Sequence, residues 1–519
     1  MKPLVRKALC VVLVQALTGG QLSLAASVFW PTPSPQPRQQ PTKVPAPWAI
    51  TRPNFEAPSA THCQRPIETR ELSDGQQHPQ PSPVPEPYGL VSPSRHLASK
   101  SPALPSEERR EFAAAATPPA MAMALPKVAV PSAATATADA RSAEIRKEAS
   151  ARKSDSPPAP IGSGVAADQV QSNLQAPAVV TAGMVDDNAA FSDYLAFRKR
   201  TPVQHRERDI RERYLLEVND ARGHGVPDAE VAVQATNGAT TWLRTDAGGK
   251  GWIHPDAFDP AHSSFYEVTV RQGGYQASTV LQRGQKSAVE VQLTRVPQPE
   301  RAQLDLVFLV DATGSMADEI DKLKSSLRSI TDEVARLPSH PDLCLGLVAY
   351  RDRGDEFFVR SHDLTSDVNA FQGVLNALQA AAGGDEPEAM NEALHEAVHH
   401  ISWRGDRTTR LVVLVADAPP HLDYGGPQYD DDMMAALGKG IKLMSVGASG
   451  LNKQGEYIQR QMAQYTGGRF IFLTYADASN PASGPGRETV HDVRNYSVQT
   501  LDKLIVRLVR DELEKLPKG

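Results

Sequence analysis

An α/β doubly wound domain, preceded by an all-β sandwich and a long disordered N-terminal region, is the fold class this 519-residue sequence predicts. Three observations predict it. From residue 303 onward, continuous apolar runs such as "LDLVFLV", "LCLGLVAY", "RLVVLVAD" and "IKLMSVGA" alternate with stretches of helical spacing. That is the pattern of a mostly parallel sheet buried on both faces by helices. Between about 208 and 297, short alternating or β-branched runs are punctuated by Gly, Asp and Asn, as in a sandwich. Ahead of both, 27 of the 42 prolines fall between residues 27 and 202, a composition with little to bury.

The elements follow in order. Lys2, Arg6 and Lys7 precede the apolar run "ALCVVLVQAL" and the small residues of "SLAAS". This layout predicts a signal peptide over 1–26 and export to the periplasm, the cell surface or the medium. The apolar run is too short to span a bilayer comfortably, and no later segment reads as transmembrane. No cysteine stands at the cleavage point to accept a lipid. The net charge of −6 gives no reason to expect a nucleic-acid partner.

Residues 27–205 read as a disordered Pro/Ala-rich linker, with "PTPSPQPRQQP" and "PQPSPVPEP" as extended chain. One stretch differs. "DDNAAFSDYLAFRKR" (186–200) predicts a short amphipathic helix with Phe191, Tyr194, Leu195 and Phe197 as its apolar side, for docking on a folded domain ahead of binding a partner. There are three cysteines. Cys10 lies in the signal, Cys63 in the linker, and Cys344 in a buried strand, where an inert thiol is expected rather than a bridge.

The segment 208–297 reads as strand, "ARGHGVPDAEV", strand, "TDAGGKGW", then "YEVTVRQGGY". It resembles the carboxypeptidase-regulatory or transthyretin-like sandwich. The resemblance implies a spacer or adhesion module, and nothing in it looks catalytic.

In 303–519 the chemistry gathers at strand ends, where ligands of such sheets bind. "VFLVDATGSMADEI" leaves a buried strand directly into Asp311, Thr313 and Ser315. "LVVLVADAPPH" ends a later strand at Asp417, and the Gly-rich loop "AAGGDEPEAM" supplies Asp385, Glu386 and Glu388. Carboxylates and hydroxyls converging on one point are hard donors that suit Mg²⁺. Helix capping is the plainer reading of T-G-S-M-A-D-E, but capping does not call for Asp311 or Asp417.

This arrangement resembles the von Willebrand factor type A (VWA) domain, whose metal-ion-dependent adhesion site is built as D-x-[ST]-x-S, a loop threonine and a strand-end aspartate. "DATGS" and Asp417 match the first and last parts as they stand. The loop departs from the pattern, since "GGDEPE" stands where the family places its threonine. The resemblance implies Mg²⁺, with Mn²⁺ as an alternative, held by Asp311, Thr313, Ser315 and Asp417. Glu388, with Asp385 second, stands in for the threonine. It also implies non-catalytic docking of a protein partner. An added carboxylate would neutralise the metal internally, against capture of a partner carboxylate.

Other motifs weigh less. "HEAVHH" (395–400) contains H-E-x-x-H, a zinc-protease spacing. It lacks the third-ligand extension, and His395 lies about 10 Å along a helix from Glu388. "RGD" (404–406) reads as turn chemistry and "NYS" (495–497) as a glycosylation pattern; "YDDDMM" (429–434) reads as a helix start. The sequence therefore predicts an exported, non-enzymatic, metal-dependent binding protein. The alternatives are a metal-dependent hydrolase using the acidic cluster, or an envelope protein with a degenerate metal site.

Overall fold

The computed structural model describes residues 63–64, 67–73, 179–294, 301–317, 319–383, 386–405 and 407–517. The signal peptide, most of the linker, Asp385 and Asp406 lie outside them. All described residues except Val179 belong to one compact unit.

In chain order the elements are β1 (Thr69–Leu72), β2 (Thr181–Val185) and α1 (Phe191–Arg200). The sandwich strands follow as β3 (Tyr214–Asp220), β4 (Glu230–Ala235), β5 (Thr240–Arg244), β6 (Lys250–Ile253), β7 (Phe265–Gln272), β8 (Tyr275–Gln282) and β9 (Val289–Leu293). Next come β10 (Gln303–Asp311), α2 (Ile320–Ala335), β11 (Asp342–Tyr350), β12 (Val359–Thr365), α3 (Val368–Ala377) and α4 (Met390–His399). The chain ends through β13 (Thr408–Ala416), α5 (Tyr429–Lys439), β14 (Ile441–Gly447), α6 (Lys453–Tyr465), β15 (Arg469–Asp477), β16 (Asn480–Pro485), β17 (Gln499–Thr500) and α7 (Leu501–Leu513).

The large sheet runs β1-β12-β11-β10-β13-β14-β15-β2-β17, with β16 paired to β15. Its centre, β11-β10-β13-β14-β15, is parallel. Strand β10 shows why. Leu304, Leu306, Phe308 and Val310 join one core with α2, α3 and α7. Val307 and Leu309 join the core on the opposite face with α1, α4, α5 and α6. A strand buried on both faces needs an unbroken apolar run, and this one has it.

Chain expected to be linker flanks the sheet on both sides, as β1 at one edge and as β2 between β15 and β17 near the other. β1 pairs antiparallel with β12, which therefore has a neighbour on both sides. β2 pairs antiparallel with β15 at the far side. An open strand edge is a template for misassociation, and these short segments cover it. The linker expected through residue 205 therefore contains ordered pieces, at 69–72 and from 181 onward. The helix expected at 186–200 is α1, and it docks. Tyr194 and Phe197 are buried, and the Arg460 guanidinium lies 3.8 Å from the Phe197 ring centroid while pairing with Asp187 at 2.6 Å.

The cysteine expectation is overturned. Cys63 and Cys344 form a disulfide with Cα atoms 5.8 Å apart. The pairing of β1 with β12 brings Cys63 beside β11, and no local spacing signals a bridge between residues 281 apart.

The sandwich stacks β6-β3-β9 on β5-β4-β7-β8, with β9 parallel to β3. Leu216, Val218 and Val291 of one sheet meet Val231, Val233, Val268 and Val270 of the other. The sandwich is seated on the large sheet through Asp228, which receives Arg410 Nη1 at 2.9 Å and pairs with Arg244 at 3.2 Å. Arg410 is fully buried and also donates to the Lys439 carbonyl. Buried pairs of this kind fix position more than they add stability. Arg404 of "RGD" does more than the turn chemistry expected of it. Arg404 is buried, donating to Asp305 at 2.6 Å and to the Leu304 carbonyl at 2.9 Å.

Candidate metal centre

Asp311 is the last residue of β10, and the turn after it is stitched to two neighbouring loops. Ala312 N–H donates to the Tyr350 carbonyl at 2.9 Å, and Gly314 N–H to the Ala382 carbonyl at 2.7 Å. A Cβ on Gly314 would stand 2.4 Å from that same Ala382 oxygen, so only glycine allows the approach. Arg351 clamps the same loops, donating to the carbonyls of Ala312 at 3.2 Å and Gln379 at 3.0 Å. On the other side, Glu388 N–H donates to the Pro419 carbonyl at 3.0 Å, tying the Glu388 loop to the segment after Asp417.

The side chains converge accordingly. Asp311 Oδ1 accepts from Thr313 N–H at 3.0 Å and from Thr313 Oγ1 at 2.6 Å. Thr313 Oγ1 lies 3.0 Å from Ser315 Oγ. Gly383 adopts φ +63°, and a Cβ there would stand 2.9 Å from Thr313 Cβ and 3.2 Å from Glu388 Oε1. Asp311, Thr313, Glu388 and Asp417 are buried, whereas Ser315 opens to solvent.

Three carboxylate oxygens here, Asp311 Oδ2, Glu388 Oε2 and Asp417 Oδ1, are buried without a hydrogen-bond partner. Burial pushes Asp311 above the usual carboxylate range, against two hydrogen bonds from Thr313 that pull it down. Burial and the Asp311 charge push Asp417 up. Burial, then the charges of Asp311, Asp352, Asp355 and Asp417, push Glu388 up to about 9. So many buried acids cannot all ionise together without a compensating cation. The donor set of carboxylates and hydroxyls fits a hard divalent ion such as Mg²⁺.

The sequence reading missed Tyr350 and Asp352 at the end of β11. Burial and the neighbouring carboxylates push the Tyr350 hydroxyl well above its ordinary pKa. Asp352 accepts from Tyr424 Oη at 2.9 Å, and His421 stacks on Tyr424 at 3.4 Å between centroids. "LVAYRDRGDE" ends a strand at the same edge of the sheet, which was the available signal.

A family model for the von Willebrand factor A domain matches residues 305–421. These residues form a VWA domain. The region is similar to von Willebrand factor A domain-containing protein 7 of Mus musculus, 30% identical over 179 residues, 33% of this chain and 18% of that protein. It is also similar to integrin beta-6 of Mus musculus, 24% identical over 246 residues, 42% of this chain and 29% of that one. Other matched relatives are an alpha-protein kinase of Dictyostelium discoideum and a putative ariadne-like RING finger protein of Acanthamoeba polyphaga mimivirus. The chain thus spans less than a third of the length of these relatives. Among solved structures, the pilus adhesin SpaC from Lactobacillus rhamnosus GG matches at 13% identity and a TM-score of 0.26, over 45% of this chain and 36% of that one.

The VWA domain also holds the H-E-x-x-H residues, on α4. Glu396 is buried and held by Ser361 Oγ at 2.7 Å and by Arg70, so it is not placed as a catalytic base. "YDDDMM" starts α5, as expected. Among the described residues no helix is long and apolar enough to cross a membrane.

Proposed function

We propose that the chain is an exported, non-catalytic adhesion-type module that docks a protein partner through Mg²⁺ at the C-terminal edge of the VWA sheet. Asp311, Thr313, Ser315 and Asp417 would hold the ion, with Glu388 in place of the family threonine. Asp385, the second candidate for that place, is outside the described residues. Mn²⁺ would substitute for Mg²⁺. The observation that carries the reading is the set of three buried, unpartnered carboxylate oxygens around two hydroxyls. When bound, the ion would supply a fixed positive charge at the solvent-facing Ser315 side, where a partner's oxygen can approach. Glu388 adds negative charge, so the ion would draw a partner's carboxylate less strongly than a site built mostly of hydroxyls.

The likeness to integrin beta-6 supports the adhesion-type reading. The disulfide supports an oxidising, extracytoplasmic location, in line with the signal-peptide reading of 1–26. The sandwich is read as a carboxypeptidase-regulatory-like spacer.

Calorimetric titration of Mg²⁺ and Mn²⁺ into the full chain, beside Asp311→Ala, tests the proposal. A fragment beginning at 298 would lack β1, β2 and Cys63, and is the wrong material. Binding in the wild type that disappears in Asp311→Ala is expected. A folded wild type that binds neither ion, or an Asp311→Ala chain that binds as well, would overturn it.

A further inference from the structure

We propose that His395, His399 and Asp432 form a second metal site, for Zn²⁺ or a similar divalent transition ion, joining α4 to α5. The two histidines are four residues apart on α4, so their rings share one face, with centroids 4.3 Å apart. His395 Nδ1 and His399 Nε2 each lie 2.9 Å from Asp432 Oδ1 on α5. The three donor atoms all fall within 4.8 Å of one another. In a tetrahedral zinc site, with bonds of about 2.0–2.1 Å, donors stand about 3.3 Å apart, so little movement is needed.

A second observation points to an ion. Asp432 is 3% exposed, and its Oδ2 is buried with no hydrogen-bond partner. Two imidazoles donating to Oδ1 alone leave Oδ2 unsatisfied, an unfavourable state for a buried carboxylate. Ligation by the carboxylate relieves this. The His399 side chain is 30% exposed, which gives the ion an entry and leaves a fourth position for water.

The donor set separates the two sites chemically. Imidazole nitrogens suit Zn²⁺, whereas the oxygen set around Asp311 suits Mg²⁺. The site is not that of a hydrolase, since Glu396 is engaged with Ser361 and Arg70. Its role is structural. α4 begins two residues after Glu388, and α5 follows the loop that leaves Asp417. An ion between the helices would hold together the elements carrying those two residues.

The test is Zn²⁺ titration of the chelator-stripped full chain without reductant, in saturating Mg²⁺, with Co²⁺ as an optical probe. The disulfide keeps Cys63 and Cys344 from offering thiolates. One equivalent of Zn²⁺ should bind, raise the melting temperature, and persist in Asp311→Ala. His399→Gln should lose at least tenfold in Zn²⁺ affinity and its cobalt bands while keeping Mg²⁺ binding. No Zn²⁺ uptake by the wild type, or undiminished uptake in the His395→Gln, His399→Gln double variant, would overturn the proposal. If those variants fail to fold, imidazole ¹⁵N spectra of the wild type decide. Shifts at His395 and His399 with one equivalent support the site, and unmoved resonances refute it.

Discussion

Glu388→Gln should stabilise the metal-free protein at neutral pH and weaken its stabilisation by Mg²⁺. The reasoning starts from a carboxyl whose pKa rises from 4.5 to about 9 on folding. An acid raised in this way contributes stability that is fully present below the unfolded pKa and is lost as pH climbs towards the folded one. At pH 7 the unfolded glutamate is ionised while the folded one is held neutral, a gap of about 2.5 pH units. At 1.36 kcal/mol per unit this amounts to about 3 kcal/mol, an upper figure because Asp311 and Asp417 share the same field. Glutamine has the same shape and no proton to lose, so it removes the penalty. In chelator at pH 7 the variant should melt several degrees above the wild type, and at pH 4 the two should coincide. Adding Mg²⁺ at a hundred times its Kd should stabilise the wild type by about 2.7 kcal/mol and the variant far less. Calorimetric melts with chelator and with Mg²⁺ across that pH range are the assay. A variant less stable in chelator at pH 7, or a difference unchanged at pH 4, would refute the reasoning.

Two further outcomes are expected. Burial lowers His254 from 6.5 to about 3, where its ring stacks on Tyr465 at 5.4 Å between centroids. A base depressed in this way is neutral in the fold, so stability is present above pH 6.5 and is lost as pH falls towards 3. Between pH 7 and 5 the loss should be about 2 kcal/mol, flattened in His254→Phe and measurable by denaturant unfolding at each pH. Cys63→Ser should cost about 2–5 kcal/mol by opening a bridge between residues 281 apart. The check is a non-reducing melt with thiol titration. An unshifted melt, or free thiols at both Cys63 and Cys344 in the wild type, would remove the bridge from the account.

How much of this was legible depends on the range of each signal. The parallel core was, because strands such as β10 and β13 carry unbroken apolar runs and their helices carry a 3.6-residue period. The places of Asp311 and Asp417 at strand ends were legible for the same reason. The contributions of Tyr350 and Asp352 were not singled out, since a tyrosine and an aspartate after an apolar run have no motif spacing. The covering strands were hidden for a different cause. "TREL" and "TAGMV" are too short and too mixed to show a period, and only their pairing partners, far away in sequence, make them strands. The disulfide and Arg404 share that cause, because both are settled by tertiary contacts. Arg404 in a tripeptide reads as turn chemistry until Asp305 and Asp342 are found on either side of it.

The hidden strands change what the proline-rich region can do. A spacer attached at one end lets a folded head reach outward from an anchor. Here the chain leaves the large sheet after β1, beside β12, and re-enters it at β2, beside β15, across the parallel core. Leu72 and Thr181 are therefore both fixed in one folded sheet. Deletions between them should leave the melting temperature and the Mg²⁺ affinity of the folded part unchanged, as long as the remaining chain still spans the sheet from β1 to β2.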